Sequence, residues 1–458
     1  MMSACKAAVA VQGDLLGEDV YFTGVSTDTR TVGSGDLFIA LIGERFDAHD
    51  FIAEAKNKGA AAAMVCHEFG AKPRDAGIPL IRVKDTRLGL GNLAAHWRGL
   101  FNIPVVAVTG SNGKTTVKEM IASILRHAAC AARQADGHDP VLVTEGNLNN
   151  DIGMPLMLLR LRDWHRYAVM EMGMNHTGEI SYLTRLANPG IAVITNAGVA
   201  HLQGLGSVEA VARAKGEIFE GLGLLGTAVI NADDGYAPLW RELADGRSIV
   251  EFGLEGSEKA SACYELGPFG ARVTLALPDG SQEVELRVPG VHNVRNALAA
   301  AAVASILGIG KAEIAFGLSQ FGGVKGRMQK KYALHGATLI DDTYNANPDS
   351  VRAAIDVLAS AGGKKIFVLG DMGELGDRAA SLHERMGTES RSAGIDNLFA
   401  LGELSSHSVA AFGPGARHYK TMEELVSGVL EVLAPDVTLL IKGSRFMKME
   451  RLVKSIEL

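Results

Sequence analysis

At roughly 150 residues per domain, 458 residues make room for about three domains, enough to bury their own cores without disulfide or metal staples. A hydrophobic fraction of 47% and a charged fraction of 21% exclude a largely disordered chain. The formal net charge of −7 argues against broad binding to nucleic acid or to an anionic membrane, so neither is expected as a partner.

The first 83 residues set short β-like runs around one helical stretch. Strands are predicted at 36–41, 61–65 and 79–83, and a helix over 51–58 that stops at Gly59. From about residue 84 the texture changes. Pro104-Val105-Val106-Ala107-Val108-Thr109 is continuously apolar, as a strand buried on both faces of a parallel sheet requires. A glycine-rich turn and a helix over 115–127 follow, then strands at 167–172, 191–195 and 227–231 with helical stretches between them. That alternation predicts βαβ units and a doubly wound sheet. Residues 271–288 alternate apolar and polar around Pro278-Asp279-Gly280 and read as an antiparallel hairpin appended to the sheet.

Gly322-Gly323-Val324-Lys325-Gly326-Arg327 reads as a linker. Beyond it, strands at 337–341, 365–369, 397–401 and 437–441 alternate with helices, without a Gly-x-Gly-x-x-Gly fingerprint after the first of them. The expected fold class is α/β in three domains: a small N-terminal α/β domain (1–83), a central P-loop domain with a doubly wound sheet (84–324) and a C-terminal Rossmann-like domain (325–458). The four cysteines, Cys5, Cys66, Cys130 and Cys263, are scattered and form no Cys-x-x-Cys. Four reduced thiols and a cytoplasmic location are expected. No signal peptide is read at the start, and the Ala-rich stretch 297–309 is too short to span a bilayer.

The stretch Val108-Thr109-Gly110-Ser111-Asn112-Gly113-Lys114-Thr115-Thr116 carries the most chemistry. Glycines let a backbone turn its N–H groups toward phosphate oxygens, and the following helix start adds partial positive charge. Lys114 is placed to contact the terminal phosphates, and the Thr115 hydroxyl to ligate Mg²⁺. The spacing is not the strict phosphate-loop pattern, because Val108 holds the first glycine position. The alternative is a βα turn that happens to contain Gly and Lys. Glu171 closes a predicted strand, where parallel sheets bind ligands. It reads equally as a Mg²⁺ ligand beside Thr115 or as an ordinary strand-end carboxylate. His201, after Asn196-Ala197-Gly198, reads as a second ligand or as a plain loop histidine.

The phosphate loop resembles that of the Mur ligases, ATP-dependent amide-forming enzymes of peptidoglycan synthesis. The resemblance runs in order along essentially the whole chain. It continues through Thr144-Glu145-Gly146-Asn147-Leu148-Asn149-Asn150, Ile152-Gly153-Met154-Pro155, Glu171-Met172-Gly173, and Asn196-Ala197-Gly198 with His201. Ala214-Lys215-Gly216-Glu217, His292-Asn293 with Asn296, and Gly326-Arg327-Met328 follow. Asp341-Asp342-Thr343-Tyr344-Asn345-Ala346-Asn347-Pro348, Gly370-Asp371-Met372 with Glu374-Leu375-Gly376, and Lys442-Gly443-Ser444-Arg445 complete it. The Asp-Asn-Pro-Arg signature of the member that adds the third residue is absent, and Ala48 replaces a common glycine.

These segments are most similar to the member whose substrates are UDP-N-acetylmuramoyl-tripeptide and D-alanyl-D-alanine. The resemblance implies that ATP phosphorylates the tripeptide carboxylate and that the dipeptide amine attacks the acyl phosphate. Such chemistry needs alignment and charge neutralisation, not a protein nucleophile. It implies ATP and two Mg²⁺ ions as cofactors. Gly110, Ser111, Asn112, Gly113, Lys114, Thr115 and Thr116 would cradle the phosphates. Thr115 and Glu171 would hold the first ion; His201, Glu171 and a carbamylated Lys215 the second. Asn293 and Asn296 match residues near the adenine; as plain structure they would be N-cap and first-turn residues of the Ala-rich helix. Arg327 and Asp342 match contacts to phosphate and ribose. Ser26 and Arg30 are the candidates for the UDP-sugar, Asn149 and Asn150 belong to the specific motif, and Asn347 and Arg445 are candidates for the dipeptide carboxylate. A monomer is expected. A folylpolyglutamate or cyanophycin-type ligase, and a nucleotide switch or kinase, are the competing classes.

Overall fold

Three mainly parallel sheets follow one another along the chain, and each stretch of alternating strand and helix builds one of them. The computed structural model describes residues 1–44, 46–67, 77–131, 137–199, 202–255 and 260–458. The first sheet runs Asp14–Leu16, Leu80–Val83, Ala62–Cys66, Asp36–Ile39, Gly24–Ser26, parallel except at its first pair. Met2–Ser3 and Tyr21–Phe22 form a separate antiparallel pair.

The central sheet has six parallel strands in the order Ser248–Phe252, Thr227–Asn231, Ile191–Ile194, Val105–Thr109, Tyr167–Glu171, Val141–Val143. All five residues of Val105–Thr109 are buried, because helices cover both faces. On one face lie the helices Lys114–Ala131 and Val291–Ile306. The second of these is mostly alanine and valine at its buried positions, which lets it approach the sheet and its neighbours closely. The other face shares a core with the N-terminal sheet through the helix Thr86–Gly99. Trp97 of that helix donates to the Leu161 carbonyl, and Arg162 Nη2 donates to the Thr23 carbonyl at 3.2 Å, which ties the two units together.

The expected hairpin exists but is not appended to the central sheet. Gly270–Leu277 and Gly280–Leu286 join Ser261–Gly267 in a separate three-stranded antiparallel sheet. Its buried face, Ala271, Val273, Leu275 and Leu277, packs into the same core as the Ala-rich helix. The alternation was read correctly; what it buries against is a helix, which sequence periodicity does not reveal.

The third sheet runs Gln329–Tyr332, Thr338–Asp342, Val437–Lys442, Lys364–Gly370, Asn397–Leu401, Ala416–Tyr419, parallel except for its first pair. Asp342 and Lys442 are register partners at the carboxyl ends of adjacent strands. Among the described residues no helix is long and apolar enough to cross a membrane.

Candidate active site

The Val105–Thr109 strand sits where the strand order reverses, with later strands added on both of its sides. Such a switch opens a crevice at the carboxyl edge. The carboxyl edge of the third sheet faces the same space, and the two enclose a cleft of about 1310 Å³. Gly110 and Gly113 take φ of 152° and 82°. A Cβ on Gly110 would collide with Thr195 Oγ1, and one on Gly113 with Asn296 Oδ1, so only glycine fits either place. The helix begins at Lys114, leaving first-turn amides of the loop for an anion.

Strand-end residues brace this loop. Asn112 N donates to Asn196 Oδ1 at 2.9 Å, Asn196 Nδ2 returns a bond to the Asn112 carbonyl at 3.0 Å, and Thr195 Oγ1 donates to the same carbonyl at 2.6 Å. Gly198 N donates to Ser111 Oγ at 2.9 Å. Lys114 Nζ rests on the Gly110 carbonyl at 2.7 Å. Burial holds the Lys114 ammonium below its ordinary pKa, while Glu171 nearby pulls it up and Arg327 pushes it down. Thr116 lines the cleft as well.

Glu171 is 2% exposed and its two carboxylate oxygens have different partners. Thr115 Oγ1 donates to Oε2 at 2.8 Å and Asn149 Nδ2 donates to Oε1 at 2.8 Å. A buried carboxylate beside a threonine hydroxyl is a hard-oxygen donor pair, which suits Mg²⁺ completed by phosphate and water. Among the described residues no three His, Cys, Asp or Glu side chains converge into a metal cluster. His201 lies outside the described residues. Lys215 is 1% exposed, and its amine is held well below the ordinary lysine pKa by burial and then by the Lys114 charge.

The other candidates lie beside the loop or face it from the third domain. Asn293 and Asn296 line the cleft, but Gly290 is the N-cap of their helix, so neither caps it. Asn293 Nδ2 donates to the Pro289 carbonyl at 2.7 Å, and Asn296 Nδ2 donates to Asn293 Oδ1 at 3.1 Å. Arg327 reaches across from the third domain and donates from Nη2 to Thr115 Oγ1 at 2.9 Å, with its guanidinium 4.1 Å from the centre of the Tyr344 ring. Asp342 has both oxygens engaged, Oδ2 by Lys442 and Oδ1 by Met328 N. It thereby fixes the segment that carries Arg327. Asn347 caps the helix Pro348–Ala359 and donates from Nδ2 to Asn112 Oδ1 at 2.9 Å. Arg445 lines the cleft and pairs with Glu450 at 3.1 Å.

The remaining candidates stand differently. Asn150 lines the cleft while its Oδ1 accepts from Gly153 N at 2.8 Å. Ser26 and Arg30 are not brought to the cleft. Ser26 Oγ is used inside its own turn, bonding the Asp28 backbone. Arg30 is fully in solvent and clamped on Asp28 at 2.6 Å, which holds the Asp28 carboxyl down at about 2.

Several cleft residues went unassigned from sequence. Asn196, Lys442 and Asp349 sit at strand or helix ends inside or beside segments already singled out. Position at a carboxyl edge was the available signal. Asp349 accepts from Val199 N at 2.8 Å across the domain gap. His292, Asp233 and Arg295 form a further corner, where Arg295 pairs with Asp233 at 3.2 Å.

Three family profiles match the chain. The Mur ligase family catalytic domain covers residues 21–98, the Mur ligase middle domain 108–304, and the Mur ligase glutamate ligase domain 326–445. The UDP-N-acetylmuramoyl-tripeptide–D-alanyl-D-alanine ligase of Escherichia coli K12 is 40% identical over 451 residues, spanning 98% of this chain and 96% of its own. The enzyme of the same name from Bacillus subtilis is 36% identical over 455 residues, spanning 96% and 94%. The crystal structure of MurF from Acinetobacter baumannii superposes with a TM-score of 0.90 at 39% identity, covering 99% of this chain and 98% of that one. MurF ligase from Thermotoga maritima in complex with ADP gives 0.83 at 28% identity, covering 94% and 96%.

Proposed function

The chain belongs to the Mur ligase family, and from that premise we propose that it joins D-alanyl-D-alanine to UDP-N-acetylmuramoyl-tripeptide, using ATP and passing through an acyl phosphate. The observation that carries this reading is the meeting of two carboxyl edges at one cleft. A phosphate loop forms one wall, and Arg327, Lys442 and Arg445 stand on the other. An acyl transfer between three substrates needs this opposition, because nucleotide and acceptor must be held by different bodies and brought into line.

In this reading the loop 110–116 holds the triphosphate, and Arg327 neutralises charge as phosphate moves. Thr115 and Glu171 hold a first Mg²⁺; His201, Glu171 and a carbamylated Lys215 hold a second. When bound, these ions supply neutralisation of phosphate and carboxylate charge. Asn293 and Asn296 flank the base, and Asp342 fixes the segment that carries Arg327. Residues 1–83, with Ser26 and Arg30, take the UDP-sugar. Arg30 would exchange Asp28 for the diphosphate. Residues 84–324 take ATP, and residues 325–458, with Asn347 and Arg445, take the dipeptide. The protein is a cytoplasmic monomer in this reading.

The test is phosphate release from ATP. Release is expected only when UDP-N-acetylmuramoyl-tripeptide and D-alanyl-D-alanine are both present. Release with a folate or a stable phosphate acceptor, and none with this pair, would overturn the assignment.

A further inference from the structure

Lys118 is a buried cation that none of the roles above uses. It lies one turn beyond Lys114 on the helix Lys114–Ala131 and is 1% exposed. A lysine ammonium taken out of water costs several kcal/mol unless it is paired and hydrogen-bonded, so its partners define why it is there. Two are present. Nζ pairs with Glu119 Oε1 at 2.7 Å, and Nζ donates to the carbonyl of Thr144.

Thr144 is the first residue after the short edge strand Val141–Val143 and is 1% exposed. Its hydroxyl accepts from the backbone N–H of Glu171 at 2.9 Å. Five residues later on the same loop, Asn149 donates to Glu171 Oε1, and Gly173 N donates to the Asn149 carbonyl at 2.9 Å. The helix thus grips Glu171 twice. Thr115 bonds the carboxylate directly, and Lys118, three residues along, fastens the residue that holds the Glu171 backbone. Without Lys118, the end of a three-residue edge strand would be tied to the sheet mainly by its own backbone pairing.

We propose that Lys118 is a positioning residue for Glu171, acting through Thr144, and that it sets the separation of the Thr115 hydroxyl and Glu171 carboxylate that hold a divalent cation. The inference rests on the reading that this pair is the cation site. Groups in this supporting position typically change metal affinity 10- to 100-fold when removed.

The probe is Mn²⁺ with a non-hydrolysable ATP analogue, followed by electron paramagnetic resonance on the full-length protein, with no turnover required. Lys118→Met keeps the aliphatic stem and removes donor and charge. It is expected to weaken Mn²⁺ binding at least 10-fold, and to raise the Mg²⁺ concentration for half-maximal activity in parallel. The KM for D-alanyl-D-alanine should move less than two-fold. Thr144→Val should produce the same weakening, Thr144→Ser should restore it, and the Lys118→Met/Thr144→Val double variant should be no worse than either single variant. If Lys118→Met does not fold, the Thr144 pair carries the test alone. Wild-type Mn²⁺ affinity in a folded Lys118→Met or Thr144→Val protein overturns the proposal. Glu171→Gln separates the two levels. If it loses Mn²⁺ while the Lys118 and Thr144 variants keep it, only the positioning role fails. If Glu171→Gln itself keeps Mn²⁺, the cation site is misassigned and the inference falls with it.

Discussion

Arg327 Nη2 lies 2.9 Å from Thr115 Oγ1, so a residue of the third domain bonds a side chain in the first turn of the phosphate-loop helix of the second. The same hydroxyl donates to Glu171, which leaves Thr115 as the point where guanidinium, carboxylate and loop converge. The Arg327 Nε is buried without a partner, a donor that a phosphate oxygen would satisfy. Arg327→Ala is expected to lower kcat/KM for ATP about 10- to 100-fold, the range for losing one charge-assisted bond of about 1.5–3 kcal/mol. Arg327→Lys should recover little, because a point charge cannot reproduce the fork stacked on Tyr344. Full activity in Arg327→Lys would show that only charge matters there.

Lys114→Ala should abolish ATP turnover and leave the fold intact. The hydrogen bonds of the lysine go to carbonyls of the loop itself, so its loss breaks no bond between elements. Circular dichroism and melting temperature should match the parent protein. Near-normal phosphate release from a folded Lys114→Ala protein would remove the phosphate-loop assignment.

Among the described residues, the bonds across the domain gap include Arg327 to Thr115, Asn347 to Asn112, Asp349 to the Val199 amide, and the Gln203 amide to the Glu374 carbonyl. Exchange of large substrates requires these bonds to break, and Gly323 and Gly326, at φ of 92° and 70°, give the linker its freedom to rotate. Asp349→Ala with Asn347→Ala should shift the free protein toward an open form, seen as a larger radius of gyration in small-angle scattering. ATP and tripeptide together should compact it again. A radius that none of these changes would argue for a fixed arrangement.

How much of this was legible in the sequence differs element by element. The apolar run at 104–109 could only be a strand covered on both faces, and the glycines after it located the loop. The edge strands Val141–Val143 and Gln329–Tyr332 carry no clear signal, because one is three residues long and the other, Gln-Lys-Lys-Tyr, has no apolar face and turns one face to water. Ser261–Gly267 alternates Ala262, Tyr264 and Leu266 with other residues, but Tyr264 and Leu266 stand in solvent, so the alternation does not mark a buried face. Bonds such as Arg327 to Thr115, or Lys118 to Thr144, join residues far apart in the chain. Composition and spacing carry no trace of them; only the fold supplies the second partner. Ser26 and Arg30 failed to reach the cleft for a related reason: a turn with an arginine binds its own aspartate as readily as a ligand.

His292 makes stability depend on pH. Burial lowers its pKa to about 4, with the Lys442 and Arg295 charges adding to the effect, and its Nδ1 has no hydrogen-bond partner. The folded pKa lies below the unfolded value near 6.5, so the unfolded chain takes up the proton first as pH falls. The stabilisation is complete above about pH 6.5 and is lost between there and about pH 4. It amounts to on the order of 1–2 kcal/mol once partial exposure is allowed for. The urea midpoint of the parent protein should therefore drop more between pH 7 and pH 5 than that of His292→Asn. Parallel drops would assign the acid sensitivity elsewhere.

Lys215 is the residue whose surroundings fit least with an ordinary lysine. It lies on the helix Val208–Gly216 among Val211, Ala212 and Ala214, all buried. Burial first, and then the Lys114 cation, hold its amine well below the usual range, which favours the neutral, nucleophilic form. No ion pair to a carboxylate compensates it among the described residues. The proposed carbamylation would resolve this: the neutral amine would add to CO₂ with release of one proton, and a neutral group would become an anion near the Lys114 cation. The product offers oxygen donors of the kind a second Mg²⁺ requires. Lys215→Ala is expected to lose at least 100-fold in activity, and acetate or another short carboxylic acid should restore part of it by supplying the missing anion. Protein equilibrated with ¹³CO₂ should show a carbamate resonance that Lys215→Ala lacks. If Lys215→Ala keeps near-parental activity in CO₂-depleted buffer, the lysine serves packing alone.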